Sequence, residues 1–154
     1  RAFAPDVLVS QHGCDTHMHD PLAHLAITVD AQRRAHESLH DLAHEAASGR
    51  WVALGGGGYE LVEVVPRSWT HLTAIAAHEP VPCDTEVPEE WLAHVLEVCG
   101  RRAPSRMGDL PVGSLPIWVQ PWNMGHNPEN PVDRAILATR QATFPHHGLD
   151  PWFD

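Results

Sequence analysis

The chain has 154 residues, a length that suits one domain with its own hydrophobic core. Its formal net charge is −10, and all of its basic residues are arginine. The absence of lysine excludes a P-loop lysine or a lysine Schiff base in this stretch. The acidic balance argues against a general nucleic-acid or anionic-membrane surface, because both require clustered positive charge.

The three cysteines, Cys14, Cys83 and Cys99, are far apart and form no C-x-x-C pair. Neither a disulfide framework nor a cysteine zinc knot is therefore indicated, and we expect a reducing, cytoplasmic location. No apolar run approaches the roughly 18 residues of a membrane span. Because the chain begins at Arg1 and enters an apolar run at once, we expect a fragment whose domain continues upstream.

Residues 1–79 predict two strand–loop–helix units. The apolar run at 7–9, bounded by Pro5 and the polar QHGCD, predicts a strand buried on both faces. Thr28 is placed to cap a helix over 29–47, with Gly49 just past its end. The inner face of this helix is predicted to carry Leu39, Leu42, Ala43 and Ala46.

WVAL at 51–54 predicts a second strand, which leads into the glycine run. The helix after it has apolar residues at helical spacing, and Pro66 is tolerable only near its first turn. Strand–helix alternation indicates parallel neighbouring strands, so the two loops are expected side by side at their carboxyl ends. The apolar positions of this helix are Leu61, Val65, Trp69, Leu72 and Ala76.

From Pro80 onward, proline-rich connections hold two further predicted helices. One runs from residue 88 to about 99, and the other from 131 to about 143. Asn130 is the expected cap of the second helix, with Pro131 at its first position. The chain between these helices is predicted to be irregular and packed by Trp118 and Trp122.

The run LGGGGY at 54–59 closes on the single tyrosine of the chain, Tyr59. It matches neither a P-loop nor a dinucleotide fingerprint, so a nucleotide site is not indicated. A plain turn is one reading of such a run. Asp15, at the end of the neighbouring loop, reads as a turn residue or as a hard oxygen ligand of a catalytic zinc ion.

QHGCD at 11–15, followed by GGGGYELVEVVPRSWTHLTA at 55–74, resembles the carboxyl-terminal part of the histone deacetylase family. The resemblance is specific over residues 3–77 and looser through VDRAILATR and HGLDP. It implies an α/β fold class, as the C-terminal part of an open parallel-sheet arginase/deacetylase-like fold. Residues 1–79 would belong to the catalytic domain, and residues 80–154 would form a Pro-rich helical extension packed on it.

The resemblance also implies roles for individual residues. Asp15 falls on a zinc ligand, and Tyr59 on the tyrosine that hydrogen-bonds the reacting carbonyl. Leu22 falls on an apolar position of the acyl-lysine tunnel, with Gly57 and Gly58 in the glycine loop beside it. The implied reaction is hydrolysis of the acetyl-lysine amide with Zn2+ or another divalent transition metal. The implied substrate is an acetylated protein of acetoin or acetate metabolism, with acetyl-CoA synthetase as one candidate.

The family pattern further requires a tandem histidine base and a D-x-H pair upstream of these motifs. We therefore expect the missing N-terminal part of the same domain to supply them, and the fragment to be inactive alone. The tandem pair His146–His147 follows a surface-type helix and is not assigned as the base. A non-catalytic α/β binding module and an acetylpolyamine amidohydrolase remain alternatives.

Several other histidines could suggest metal binding. For His17 and His19, packing at the rim of the pocket is favoured over a direct metal role. His36, His40 and His44 form a stripe at helical spacing, for which a solvated face is favoured over an adventitious site for a divalent ion.

Overall fold

This computed structural model of the chain describes residues 1–23, 25–118 and 120–154. Its strands and helices are, in chain order, β1 (Leu8–Gln11), α1 (Val29–Ala47), β2 (Trp51–Leu54), α2 (Val65–Ala76), α3 (Glu89–Cys99) and α4 (Pro131–Thr143). Short 3₁₀ turns occupy Trp122–Met124 and Phe144–His147. Residues 3–117 form one compact unit, and residues 118–154 form a second. Within the described residues, each helix is too short or too polar to cross a membrane.

The strands β1 and β2 form a parallel pair, as the strand–helix–strand order predicts. Leu8 lies opposite Trp51, and Gln11 lies opposite Leu54. The prediction that the first strand is buried on both faces is wrong, because Val9 is 61% exposed. Helix α1 contacts both strands and covers one face of the pair, so alternate side chains point away from it.

Helix α1 has the predicted ends but not the predicted buried face. The Thr28 side chain caps it by accepting a hydrogen bond from the Ala31 N–H, and Ser48 ends it in a left-handed conformation. Of the four predicted inner residues only Ala43 is fully buried, and Leu39, Leu42 and Ala46 are half-buried. The side chains that the helix buries are largely polar: Val29, Asp30, Gln32, His36, Ala43 and Ala47.

Helix α2 begins later than its apolar pattern suggests. Leu61 precedes the helix in a turn and is exposed, while Pro66 stands in the first turn as predicted. Leu72 is the one member of the predicted apolar set that is fully buried. Charged and polar side chains share the buried face, which consists of Arg67, Ser68, His71, Leu72 and Ile75.

Helices α3 and α4 confirm the two helices predicted in the proline-rich half. Pro88 precedes α3, and the Asn130 side chain caps α4 by accepting from the Val132 N–H. The chain between them is mostly irregular, apart from one 3₁₀ turn, and Val119 lies outside the described residues. Trp118 is exposed, so the prediction that it packs this stretch is wrong, whereas Trp122 is half-buried.

The second compact unit carries the tandem pair His146–His147. Both rings are exposed in a 3₁₀ turn that follows α4. Residues 80–117 pack within the first unit. The expected division of the family domain at residue 79 stays a prediction.

Candidate active site

The loops that follow β1 and β2 lie side by side, as the parallel order predicts. Backbone pairing continues past the strands, because the His12 N–H donates to the Leu54 carbonyl at 2.8 Å. The Cys14 and Asp15 N–H groups then both donate to the Gly57 carbonyl, at 2.7 and 3.3 Å. These bonds hold the loop that carries the Asp15 carboxylate against the glycine loop.

Close contact with the first loop explains the glycines at 57 and 58. A Cβ atom on Gly57 would lie 2.1 Å from Asp15 Oδ2. A Cβ atom on Gly58 would lie 2.6 Å from Cys14 Sγ. Neither glycine has a left-handed φ. The site therefore requires the absence of a side chain at these two positions, because the two loops approach so closely.

Asp20 joins the first loop to the end of the glycine loop. Its Oδ2 accepts from the Tyr59 N–H at 3.0 Å, and its Oδ1 accepts from the Leu22 and Ala23 N–H groups at 2.8 and 3.2 Å. Burial alone would raise the pKa of this carboxyl, but these three donors and the His17 ring outweigh it and lower the pKa. Sequence reasoning missed Asp20, because a loop aspartate usually indicates only a turn.

The predicted site residues remain accessible within this frame. Asp15 is half-buried, and its carboxylate accepts no hydrogen bond from the residues that the structure describes. The Tyr59 and Leu22 side chains are 51% and 61% exposed. The structure thus brings Asp15 to the glycine loop, and the Asp20 carboxylate holds the backbones of both Tyr59 and Leu22.

His17 is buried, so the expected packing at the pocket rim is wrong for this residue. Its Nδ1 accepts from the His19 N–H at 3.1 Å, which places the ring proton on Nε2, 2.9 Å from Asp109 Oδ2. Asp15 and His17 have the D-x-H spacing, which sequence reasoning overlooked. Because both ring nitrogens are engaged, His17 offers no lone pair to a metal. His19 is exposed, with its Nδ1 2.9 Å from Glu63 Oε2.

Asp109 is a second carboxylate that braces the site, and it comes from the chain after α3. Its Oδ1 accepts from the Arg67 guanidinium at 2.7 Å, and its Oδ2 accepts from the Val29 N–H at 2.6 Å and from His17. Burial would raise the pKa of Asp109, but the His17 and Val29 donors and the Arg67 charge hold it far below its usual range. No local sequence pattern marks this residue, because its partners lie 42 to 92 positions away.

Side chains from both helices hold the first loop in place. The Gln32 amide of α1 donates to the Cys14 carbonyl at 3.0 Å and to Thr16 Oγ1 at 2.9 Å. The Trp69 indole of α2 donates to the His12 carbonyl at 2.9 Å. The position of Asp15 is therefore set by bonds on both sides of it in sequence.

His36 belongs to the buried face of α1, so the predicted solvated stripe is wrong at this position. Its Nδ1 lies 2.9 Å from His12 Nδ1, and His12 Nε2 lies 2.7 Å from Ser10 Oγ. Burial, and then the His12 and His71 rings, lower the pKa of His36 to about 4. His36 is therefore neutral at pH 7 and part of a buried polar chain beneath the first loop.

The donor groups around Asp15 fit one position of a catalytic zinc site. Such sites use three protein ligands and keep an open position for water. The Asp15 carboxylate is a suitable oxygen ligand. Burial raises the pKa of the neighbouring Cys14 thiol to about 11. Among the residues that the structure describes, Asp15 belongs to no group of three or more potential metal ligands, so this part of the chain supplies one ligand.

A cleft of about 630 Å³ lies elsewhere in the first unit, beside α1. None of the predicted site residues is among its lining residues. Its walls include Asp30, Arg33, Cys83 and residues 110–117. This cleft therefore does not belong to the candidate active site.

Comparison with known proteins supports the motif resemblance. The sequence profile of the histone deacetylase domain matches residues 1–76. Acetoin utilization protein AcuC of Bacillus subtilis (strain 168) is 37% identical over 138 residues, which is 90% of this chain and 35% of that protein. AcuC of Staphylococcus xylosus is 37% identical over 91 residues, or 59% of this chain and 23% of that protein.

AcuC of Staphylococcus aureus (strain Mu50 / ATCC 700699) is 31% identical over 109 residues, 71% of this chain and 28% of that protein. The chain thus spans about a third or less of the length of these curated relatives. No solved structure matches it.

Proposed function

Because residues 1–76 of this chain belong to the histone deacetylase family, we propose that it is the carboxyl-terminal part of a metal-dependent lysine deacetylase. The relatives' name, acetoin utilization protein AcuC, supports acetoin metabolism as its setting, with acetate metabolism as the alternative. The observation that carries the proposal is the pair of hydrogen bonds that the Cys14 and Asp15 N–H groups donate to the Gly57 carbonyl. They join the loop with a free carboxylate to the loop that ends in Tyr59.

Asp15 would be one ligand of the metal, with Zn2+ favoured and another divalent transition metal as the alternative. When bound, such an ion polarises the acetyl carbonyl and lowers the pKa of a water molecule. The Asp15 carboxylate is free to serve because no described residue donates a hydrogen bond to it. Its backbone N–H, held by the Gly57 carbonyl, keeps the side chain beside the glycine loop.

Tyr59 would donate its hydroxyl proton in a hydrogen bond to the acetyl carbonyl oxygen. This oxygen gains negative charge as the amide carbon becomes tetrahedral, so the bond strengthens in the transition state. The half-exposed phenol can reach a substrate. Asp20 supports the role by fixing the Tyr59 backbone N–H at 3.0 Å.

Gly57, Gly58 and Leu22 would bind the acyl-lysine chain. The two glycines present bare backbone, along which an extended aliphatic chain can lie. Leu22 adds an exposed apolar side chain whose backbone is held by Asp20 at 2.8 Å. A narrow apolar passage of this kind would favour the neutral acetylated side chain over a charged lysine, because burying an unpaired ammonium group is costly.

The remaining machinery would lie upstream, in the N-terminal part of the same domain. It would include the general base and two metal ligands, and the completed sheet would have the arginase/deacetylase-like order. The substrate would be an acetylated protein, with acetyl-CoA synthetase as a candidate, in the cytoplasm. The exposed apolar face with Val9 and Val52 is consistent with further structure packing on the strand pair.

The test uses the full-length protein and acetyl-lysine peptides. Tyr59→Phe should lower turnover by about 10²- to 10³-fold with unchanged metal content, as expected for loss of one oxyanion donor. Asp15→Ala should lose activity together with the one equivalent of metal that Asp15 helps to bind. Val98→Ala, an exposed change on α3, serves as the control. Full metal content in Asp15→Ala would contradict the ligand assignment, and a wild-type protein that releases no acetate would favour a binding module.

A further inference from the structure

A second group of histidines lies near the carboxyl-terminal ends of α1 and α2. This histidine cluster consists of His40, His44 and His78, and one ring nitrogen from each lies within 4.8 Å of the others. His40 is half-buried, with its ring 5.7 Å from the Trp51 ring, and the other two histidines are exposed. The predicted stripe of His36, His40 and His44 is thus divided, and His78, just after the end of α2, takes the place of His36.

The helical spacing brings two of the rings together. His40 and His44 are four residues apart on α1, and their Nε2 atoms are 3.2 Å apart. Two neutral rings can face each other in this way only if one Nε2 carries a proton and the other accepts it. When both rings carry their proton on Nδ1 instead, each Nε2 has a lone pair that a metal ion can take.

His78 reaches the cluster from the end of α2. Its φ of +62° lies in the left-handed region, where glycine or asparagine usually follows a helix. In this conformation its ring centroid lies 4.8 Å from that of His40 and 5.3 Å from that of His44. The strained backbone therefore accompanies a contact between the two helices.

The surroundings of the cluster favour a cation. Both helices direct their carbonyl ends, which carry partial negative charge, toward this region. Asp41 Oδ1 lies 4.0 Å from His40 Nδ1 and adds a full negative charge.

The distances suit a small divalent ion. With bonds of about 2.0 Å, tetrahedral zinc places its ligand nitrogens roughly 3.3 Å apart. The 3.2 Å separation between His40 and His44 is close to this value. The His78 nitrogen needs a movement of about 1 to 2 Å, which rotation of an exposed side chain can provide.

We propose that His40, His44 and His78 bind one Zn2+ or Ni2+ ion, which links the ends of α1 and α2. Imidazole suits both metals. The site is separate from Asp15, because the two lie at opposite ends of β2. His40 lies beside Trp51, the first residue of that strand, and the glycine loop next to Asp15 follows its last residue. Four strand residues separate the two regions by roughly 10 Å or more.

The experiment titrates Ni2+ and Zn2+ into the purified protein and follows binding by calorimetry and melting temperature. The double variant His44→Ala/His78→Asn removes two ligands, and asparagine tolerates the left-handed backbone of residue 78. Wild type should bind one equivalent through the cluster, and the double variant should bind it more than about 100-fold more weakly. Losing a residue that only supports a metal ligand typically lowers metal affinity by about 10- to 100-fold. A larger loss would therefore identify these histidines as ligands themselves. His94→Ala, an exposed histidine change on α3, should behave as wild type.

Unchanged affinity and stoichiometry in the double variant would overturn the proposal, provided that its circular dichroism matches wild type. Binding only at millimolar metal would also overturn it. Asp15→Ala should retain this equivalent and its rise in melting temperature. The result therefore does not depend on the proposed deacetylase activity. Loss of metal binding at Asp15 and loss of metal binding at the histidine cluster are measured in separate variants.

Discussion

Replacing Gly57 by alanine tests the contact between the glycine loop and Asp15. The added Cβ would lie 2.1 Å from Asp15 Oδ2 and 2.7 Å from its Cγ. Ordinary van der Waals contact for a Cβ begins near 3.4 Å, so the carboxylate must retreat by about 1.3 Å. The backbone cannot separate freely, because the Cys14 and Asp15 N–H groups both bind the Gly57 carbonyl.

In the proposed role of Asp15 as a metal ligand, a displacement of this size would lower activity. A misplacement of about 1 Å can cost on the order of 10²-fold in rate. We therefore expect Gly57→Ala to lower deacetylation of an acetyl-lysine peptide by about 100-fold in the full-length protein. If Asp15 is a metal ligand, the affinity for the metal should also fall by roughly 10- to 100-fold.

Gly55→Ala is a control within the same glycine run. Its Cβ would lie 3.4 Å from the nearest atom, on the Trp69 ring, and Gly55 has no left-handed φ. It should retain turnover, metal affinity and stability. The assay compares acetate release, metal content and melting temperature for both variants. Equal activity in Gly57→Ala and Gly55→Ala would refute the argument that the two loops are too close for a side chain.

Two further predictions concern stability. Asp109→Ala leaves the Arg67 guanidinium buried without its carboxylate partner, so we expect the free energy of unfolding, measured in urea, to fall by about 3 kcal/mol. A fall of less than about 1 kcal/mol would contradict the stabilising role of Asp109. The lowered pKa of His36 means that the unfolded state binds more protons between pH 6.5 and 4. The free energy of unfolding should therefore fall by up to about 3 kcal/mol as pH drops through this window. His36→Gln should flatten this dependence, and an unchanged slope would contradict the buried neutral ring.

The ends of α1 and α4 and the strand order could be predicted because their causes are local. Thr28 and Asn130 cap α1 and α4 through N–H groups two or three residues away. Pro131 starts a helix because its fixed φ suits the first position. The parallel pairing of β1 and β2 follows from a helix of ordinary length between two short strands.

The buried faces of the helices could not be predicted from apolar spacing. The buried face of α1 carries Gln32 because its amide finds the Cys14 carbonyl and Thr16. Arg67 is buried in α2 because the Asp109 carboxylate and the Gly108 carbonyl accept hydrogen bonds from its guanidinium. Polar groups can be buried when partners exist, and those partners lie far away in sequence.

The residues of the candidate site also divide into those that a local sequence pattern predicts and those that only distant contacts reveal. Its motif residues Asp15 and Tyr59 stand out in the sequence, because an acid and a phenol each follow an apolar strand. Asp20 does not stand out, although it binds the backbones of both Tyr59 and Leu22. Its importance depends on the approach of two loops whose bonded residues are 39 positions apart.

The sequence by itself determined the boundaries of α1 and α4, the parallel strand pair and the two loops with the site motifs, because capping and strand–loop spacing act over a few residues. Only the tertiary structure decided that Asp109 secures His17, that His36 is buried, and that His78 meets His40 and His44. These contacts join residues up to 92 positions apart. They depend on how helices and irregular chain pack together, and no local pattern records that packing.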